Sequence, residues 1–174
     1  ACDISCMHYT LAMPFELRKV ESSDLGAIVE LNESVVPAVN SVPLEKMRWF
    51  AQNASYFKVA VDADGVAAFL IGLRAGVPYE SPNYQWFCAS YPDFAYVDRV
   101  AVAGRARRQG LASKLYDDFE LAQRGEVSVM TCEVNLAPPN PESMRYHEQR
   151  GFRQIGSQAT EGGSKIVALL EKAL

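Results

Sequence analysis

The segment Val102-Ala103-Gly104-Arg105-Ala106-Arg107-Arg108-Gln109-Gly110-Leu111-Ala112-Ser113 decides how this chain is read. Before it, Ala95 to Val102 has the β-branched and aromatic character of a strand. After it, Leu111, Leu115, Phe119 and Ala122 mark the apolar stripe of a helix predicted over Arg108 to Arg124. A glycine in a first helical turn lets a ligand approach the backbone closely, and the free N–H groups and partial positive charge there suit a pyrophosphate. Flanking arginines add charge-assisted contacts. A Walker A loop is excluded, because five residues rather than four separate Gly104 from Gly110, and Leu111 follows in place of lysine. The glycine spacing of a dinucleotide fingerprint is also absent. On this segment alone, a solvated basic turn ahead of a helix is the remaining alternative.

Working outward, Val127 to Asn135 reads as a strand, and Asn140-Pro141 caps a helix that runs to Arg150 and ends at Gly151. A last hairpin joins Arg153–Ser157 to Lys165–Glu171 around Glu161-Gly162-Gly163. Upstream, Phe15 to Val20 alternates as a strand, and Ser22-Ser23-Asp24 caps a helix of about 10 residues bearing Leu25, Ile28 and Val29. Ser41-Val42-Pro43 opens a second helix, with Leu44, Met47 and Phe50 on one stripe, reaching about Asn53. Tyr56–Val61 and Val66–Leu73 flank an Asp-Gly pair, a strong hairpin signal. Arg74 to Phe94 reads as a long irregular loop: any one of its Tyr79, Tyr84, Trp86, Phe87, Tyr91 and Phe94 rings taken alone covers core, while as a group they wall a substrate pocket. The predicted order is β-α-α-β-β-β-α-β-α-β-β: an α/β (α+β) fold with a mixed, mostly antiparallel central sheet flanked by helices.

Composition narrows the function. In 174 residues, 49% are hydrophobic and 22% charged, the balance of a soluble globular protein. With 17 Lys+Arg against 21 Asp+Glu the net charge is −4, which argues against a broad phosphate-binding surface and so against nucleic acid as a partner. No apolar run has the length of a membrane span, so no membrane partner and a cytoplasmic location are expected. Cys2, Cys6, Cys88 and Cys132 are too sparse for a disulfide framework. Cys2, Cys6 and His8 lack further ligands apart from His147, so no metal is expected. Residues 1–12 read as a leader, with Met13 an alternative start, and 13–174 as one domain.

Arg107-x-x-Gly110-x-Ala112, between strand and helix, resembles the R/Q-x-x-G-x-G/A signature of the GNAT N-acetyltransferase superfamily. Asn140-x-x-Ser143-x-x-x-His147-x-x-x-Gly151-Phe152 resembles its second motif, in which Tyr usually stands where His147 does; the pattern is similar to a bacterial subgroup with that replacement. The element order from about residue 15 to 174 is similar too. The resemblance implies acetyl-CoA as co-substrate. Val100, Ala101 and Val102 would pair with the pantetheine arm as a strand edge pairs with an added strand. Backbone N–H groups of Arg107, Arg108, Gln109, Gly110, Leu111, Ala112 and Ser113 would hold the pyrophosphate, with the Arg108 side chain beside it. Asn140 and Asn135 would hydrogen-bond the pantetheine or acetyl region. The main-chain N–H of Val100 would polarise the thioester carbonyl in the opening between two splayed central strands.

Acyl transfer to an amine requires an ammonium with pKa of about 10 to lose a proton and a thiolate to be stabilised as it leaves. His147 is the expected donor to that thiolate, with Ser143 on the same helix face one turn earlier. Tyr146 cannot take its place, since neighbouring helical residues point about 100° apart. Asp98 is the first candidate base, placed by a period of two on one face with Tyr96, Val100 and Val102; Glu133, sharing a face with Asn135, is the second. Cys132 has the period of a packed strand residue rather than a nucleophile. The expected activity is direct transfer, in a ternary complex, to a small-molecule primary amine or an N-terminal amine. The alternative is a non-catalytic acyl-CoA-binding or sensor module. The chain's own loops, or a partner subunit in a homodimer, would choose the acceptor.

Overall fold

At the Asp-Gly turn the chain reverses as expected: β2 (Tyr56–Asp62) and β3 (Gly65–Arg74) form an antiparallel hairpin with Gly65 at φ +100°. In this computed structural model, residues 15–174 are described. The leader over residues 1–12, Met13, and the Cys2, Cys6 and His8 candidates lie outside the described residues. Around the hairpin stand β1 (Glu16–Lys19), α1 (Leu25–Ser34) and α2 (Leu44–Asn53) before it. After it come α3 (Pro82–Ser90), β4 (Ala95–Val102), α4 (Leu111–Gln123), β5 (Val129–Ala137), α5 (Pro141–Gln149), β6 (Arg153–Thr160) and β7 (Lys165–Ala173). The sheet order is β1-β2-β3-β4-β5-β7-β6, antiparallel throughout except at β4/β5, a mixed and mostly antiparallel sheet as expected. No described helix is long and apolar enough to cross a membrane.

One element corrects the expected order: the stretch read as irregular contains α3. Ser81 caps it by accepting from the Tyr84 N–H, and Pro82 occupies the first turn, where its missing N–H costs nothing. The helix is apolar around most of its circumference, which hides its period. Tyr84, Phe87 and, beyond the helix, Phe94 are fully buried among Tyr96, Phe69 and Ile71. The rings of this segment therefore build core rather than a pocket wall, with Tyr79 the exception.

The sheet separates two cores. On one side α4 and α5 cover Val97, Cys132 and Val134; Leu111, Leu115 and Phe119 of α4 point inward, as their spacing requires. On the other side α1, α2 and α3 cover Ile71, Tyr96 and Leu169 with Ile28, Met47 and Phe50. Strand β4 carries a bulge: Gly72 pairs with Val97 and Ile71 with Arg99, so Asp98 is an extra residue in the ladder. This changes the parity of the strand. Ala95 and Val97 pack toward α4 before the bulge, Val100 and Val102 after it, while Tyr96 lies on the opposite side. The single face expected for Tyr96, Asp98, Val100 and Val102 is thus broken in the middle, because a bulge is invisible to a period of two.

Candidate active site

Strands β4 and β5 pair only at Ala95↔Met130 and Tyr96↔Thr131, then diverge. Past that point β4 is bonded on one edge only. The Ala103 N–H reaches the Ala67 carbonyl at 2.8 Å, so by alternation the backbone groups of Ala101 face β3 while those of Val100 and Val102 face the gap. The gap opens into a cavity of about 240 Å³ that passes through the sheet. Val100, Asn135, Asn140, Ser143, His147, Asp98 and Glu133 all border it, whereas Ala101, Val102 and the arginine turn over residues 107–113 do not line it.

At the start of α4, Arg108 (φ +60°) and Gly110 (φ +75°) are both left-handed, and this sharp double turn delays the helix to Leu111 rather than Arg108. The Lys114 N–H is the first to bond back, to Gly110 at 3.0 Å. The N–H groups of Leu111, Ala112 and Ser113 therefore have no intrahelical acceptor and form the kind of N-terminal cradle that holds anions. Arg105 pairs with Asp62 and so anchors the turn to the β2–β3 hairpin. Arg107 and Arg108 stay exposed, and Gln109 bonds the Arg105 carbonyl at 3.3 Å. The free N–H groups, the exposed arginines and the unpaired edge of β4 fit a pyrophosphate-bearing pantetheine thioester.

On the α4/α5 side, the Asn140 side chain accepts from the Ser143 N–H at 3.1 Å and starts α5. One turn beyond Ser143, His147 is 4% exposed. Its Nδ1 lies 2.8 Å from the Ser143 carbonyl and its Nε2 2.7 Å from the Tyr116 hydroxyl. A carbonyl only accepts, so Nδ1 carries the proton and Nε2 accepts from Tyr116. Burial, with the Arg150 charge behind it, pushes the imidazole below its ordinary range. Cys132 borders the same cavity, and burial pushes its thiol well up, away from the nucleophilic thiolate. Tyr116 was not singled out in the sequence. Its signal was a polar-tipped ring placed between Leu115 and Phe119 on the buried stripe of α4.

The opposite side is charged. The Asp98 carboxylate receives Arg99 Nε at 2.6 Å, and the guanidinium continues to Asn32 Oδ1 at 3.0 Å and the Asn40 carbonyl at 3.1 Å. The Tyr79 phenol, pushed up by burial and by Asp98, stands against this pair. Glu133 receives the Tyr96 hydroxyl at 2.7 Å and also faces Asn83, whose carbonyl is held by Gln158. Burial first, and the Asp98 charge second, push the Glu133 carboxyl up to about 7. Asn135 sends its amide to the Pro37 and Ala38 carbonyls at 3.3 and 3.5 Å, so it secures the α1–α2 connection. Lys165 holds the same connection through Asn40 Oδ1 at 2.6 Å.

Known proteins share this fold. Ard1 from Thermoplasma volcanium superimposes with a TM-score of 0.72 at 17% identity, over 92% of this chain and 98% of its own. Arabidopsis thaliana NAA60, in complex with a bisubstrate analogue, gives 0.73 at 15% identity over 91% and 97%. The ribosomal-protein-S18-alanine N-acetyltransferase from Escherichia coli gives 0.65 at 17% identity over 91% and 93%. No curated protein matches the chain in sequence. A family model described as the acetyltransferase (GNAT) family matches residues 27–152, which include both the arginine turn and α5. The chain belongs to that family of acyl-CoA-dependent N-acyltransferases.

Proposed function

We propose that this protein transfers the acetyl group of acetyl-CoA directly to a primary amine, of a small molecule or of a peptide N-terminus, within a ternary complex. The observation that carries this is the cavity through the β4/β5 gap. It joins a free strand edge and an uncharged hydrogen-bonded pair on one side to Glu133, poised near pH 7, on the other. In this reading the α4 N–H groups and Arg108 hold the pyrophosphate, and Val100 to Val102 pair with the pantetheine arm. The Val100 N–H faces the thioester carbonyl as charge develops on its oxygen. Asn140 and Ser143 border the thiol end beside His147. Asn135 meets the pantetheine only if its bonds to the α1–α2 connection are exchanged.

Glu133 takes the ammonium proton through a water molecule, since a base is most effective when its pKa lies near the working pH. Asp98, held by Arg99, keeps Glu133 basic by its charge and helps attract a cationic acceptor. The nitrogen lone pair then attacks the carbonyl carbon, and the carbon–sulfur bond breaks toward α5. Thiol release from acetyl-CoA with a panel of amines and short peptides tests the activity. Amine-dependent release supports it; a thermal shift with acetyl-CoA but no thiol from any acceptor points to a binding module instead.

A further inference from the structure

We propose that the Tyr116 hydroxyl, on α4, is the hydrogen-bond donor to the departing sulfur, and that His147 is the positioning residue that aims it; this rests on the acetyl-transfer reading above. The Nδ1 proton of His147 is committed to the Ser143 carbonyl at 2.8 Å. Its Nε2 is then bare, so the imidazole has no proton to offer the cavity. The proton in the 2.7 Å contact belongs to Tyr116. Both side chains border the cavity next to Cys132, Val134 and Ser143, where the thiol end of the gap lies.

One alternative is placed elsewhere. The Tyr146 hydroxyl lies 3.4 Å from Ser113 Oγ, at the phosphate turn. The Ser143 hydroxyl sits 3.4 Å from the protonated Nδ1 of His147, where it can only accept, so its own proton is the remaining rival and the thiol titration of Tyr116→Phe separates the two. The Tyr116 ring is boxed in edge-on by Tyr146, His147 and Phe152, with the Arg150 guanidinium 5.1 Å from its centre. Its freedom is therefore rotation of the O–H about the C–O bond. As the carbon–sulfur bond breaks, its electron pair goes to sulfur, and the hydroxyl turns from the neutral Nε2 to the thiolate, a stronger acceptor. No bond to Tyr116 forms, and the sulfur takes its final proton from solvent on release. Burial holds the phenol un-ionised, consistent with donation of a hydrogen bond rather than loss of the proton.

The test uses CoA itself as the probe, so it does not depend on knowing the acceptor. The thiol of bound CoA is titrated by its thiolate absorbance, as a difference from the free protein. In Tyr116→Phe it should titrate about 1 unit higher than in the unmodified protein, and in His147→Leu higher by less. With any amine that turns over, Tyr116→Phe should lower kcat by about 10- to 100-fold with KM for acetyl-CoA within about twofold. An unchanged titration in Tyr116→Phe overturns the assignment, even if turnover falls; an unchanged one in His147→Leu overturns the positioning role. Failure of the unmodified protein to bind CoA overturns this inference and the acetyl-transfer reading together. If CoA binds but no amine is acetylated, only the activity falls, and the thiol titration still decides the role of Tyr116.

Discussion

The two sides of the β4/β5 gap are built from adjacent residues of the same strands, yet one is neutral and the other charged. Alternation along β5 sends Cys132 and Val134 toward α4 and α5, and Thr131, Glu133 and Asn135 toward α1, α2 and α3. On the first side burial keeps the cavity-lining Tyr116, Cys132 and His147 uncharged. On the second, Asp98, Arg99, Glu133 and Lys165 crowd the same cavity. The contrast matches what the two halves of an acyl transfer demand. A thiolate is stabilised well by a fixed neutral donor, which needs no proton inventory. An ammonium must give up a proton, which needs a carboxylate that is neither too weak nor too strong a base.

Replacing the charged side's Glu133 should do the most damage. Glu133→Gln keeps an oxygen for the Tyr96 hydroxyl but cannot take a proton. The kcat/KM for the acceptor should fall by about 10²- to 10³-fold, with acetyl-CoA affinity unchanged. The rise in kcat/KM through about pH 7, where Glu133 loses its proton, should vanish with it. A variant that keeps both its rate and that limb would transfer the base to another group and break the contrast.

The two sides also oppose each other in stability. Folded Glu133 titrates near 7 against an ordinary 4.5, so the fold favours its protonated form. Its contribution is complete below pH 4.5 and is lost as pH rises toward 7. His147 is the reverse: the fold favours its neutral form, so stability is complete above the ordinary 6.5 and is lost as pH falls below it. Denaturant unfolding across pH should show Glu133→Gln more stable than the unmodified protein by about 3 kcal/mol at pH 8, and equal to it near pH 4. His147→Gln should lose part of the destabilisation on acidification below pH 6.5. Parallel curves for either variant would mean that its side chain does not set the pH response.

How far the sequence reached follows the same division. The arginine turn, the Asn140 cap and the Asp-Gly hairpin are local signals, and each stands where its residues place it. Tyr116 was out of reach because its role exists only where α4 meets α5, a contact between residues 31 apart in the chain. The Asp98 bulge was equally hidden, since an extra residue in one strand is defined only by its partner. Helix α3 escaped for a different reason: apolar residues stand on its exposed as well as its buried positions, so no polar face marks its period, and Ser81-Pro82 reads equally as turn or cap.

The bulge itself can be probed through Gly72, the residue paired with Val97 beside it. A Cβ at Gly72 would lie 2.4 Å from Cζ of Phe119, inside van der Waals contact, so the ring of this fully buried residue occupies the side chain's place. Phe119 also packs against Tyr56, with centroids 4.8 Å apart, and has little room to withdraw. Gly72→Ala should destabilise by about 1–3 kcal/mol, seen as a lower denaturation midpoint at unchanged slope. Because the strain falls on the neutral side, the pH limb set by Glu133 should survive. A shift of that limb would show that the bulge couples the two sides.

The smallest effect should come from Asn140, where fold and ligand contact meet in one side chain. Its Oδ1 caps α5 through the Ser143 N–H, while the residue also borders the cavity. Asn140→Ala removes the cap and should cost about 1 kcal/mol, lowering Tm by about 2–4 °C for a chain of this size. Asn140→Asp restores an oxygen for the Ser143 N–H but not the amide donor. If the aspartate variant recovers Tm while KM for acetyl-CoA stays raised, the amide serves the pantetheine and the oxygen serves the helix. If both recover, Asn140 acts only by setting the first turn of α5, and through it the Ser143 carbonyl that fixes the His147 tautomer.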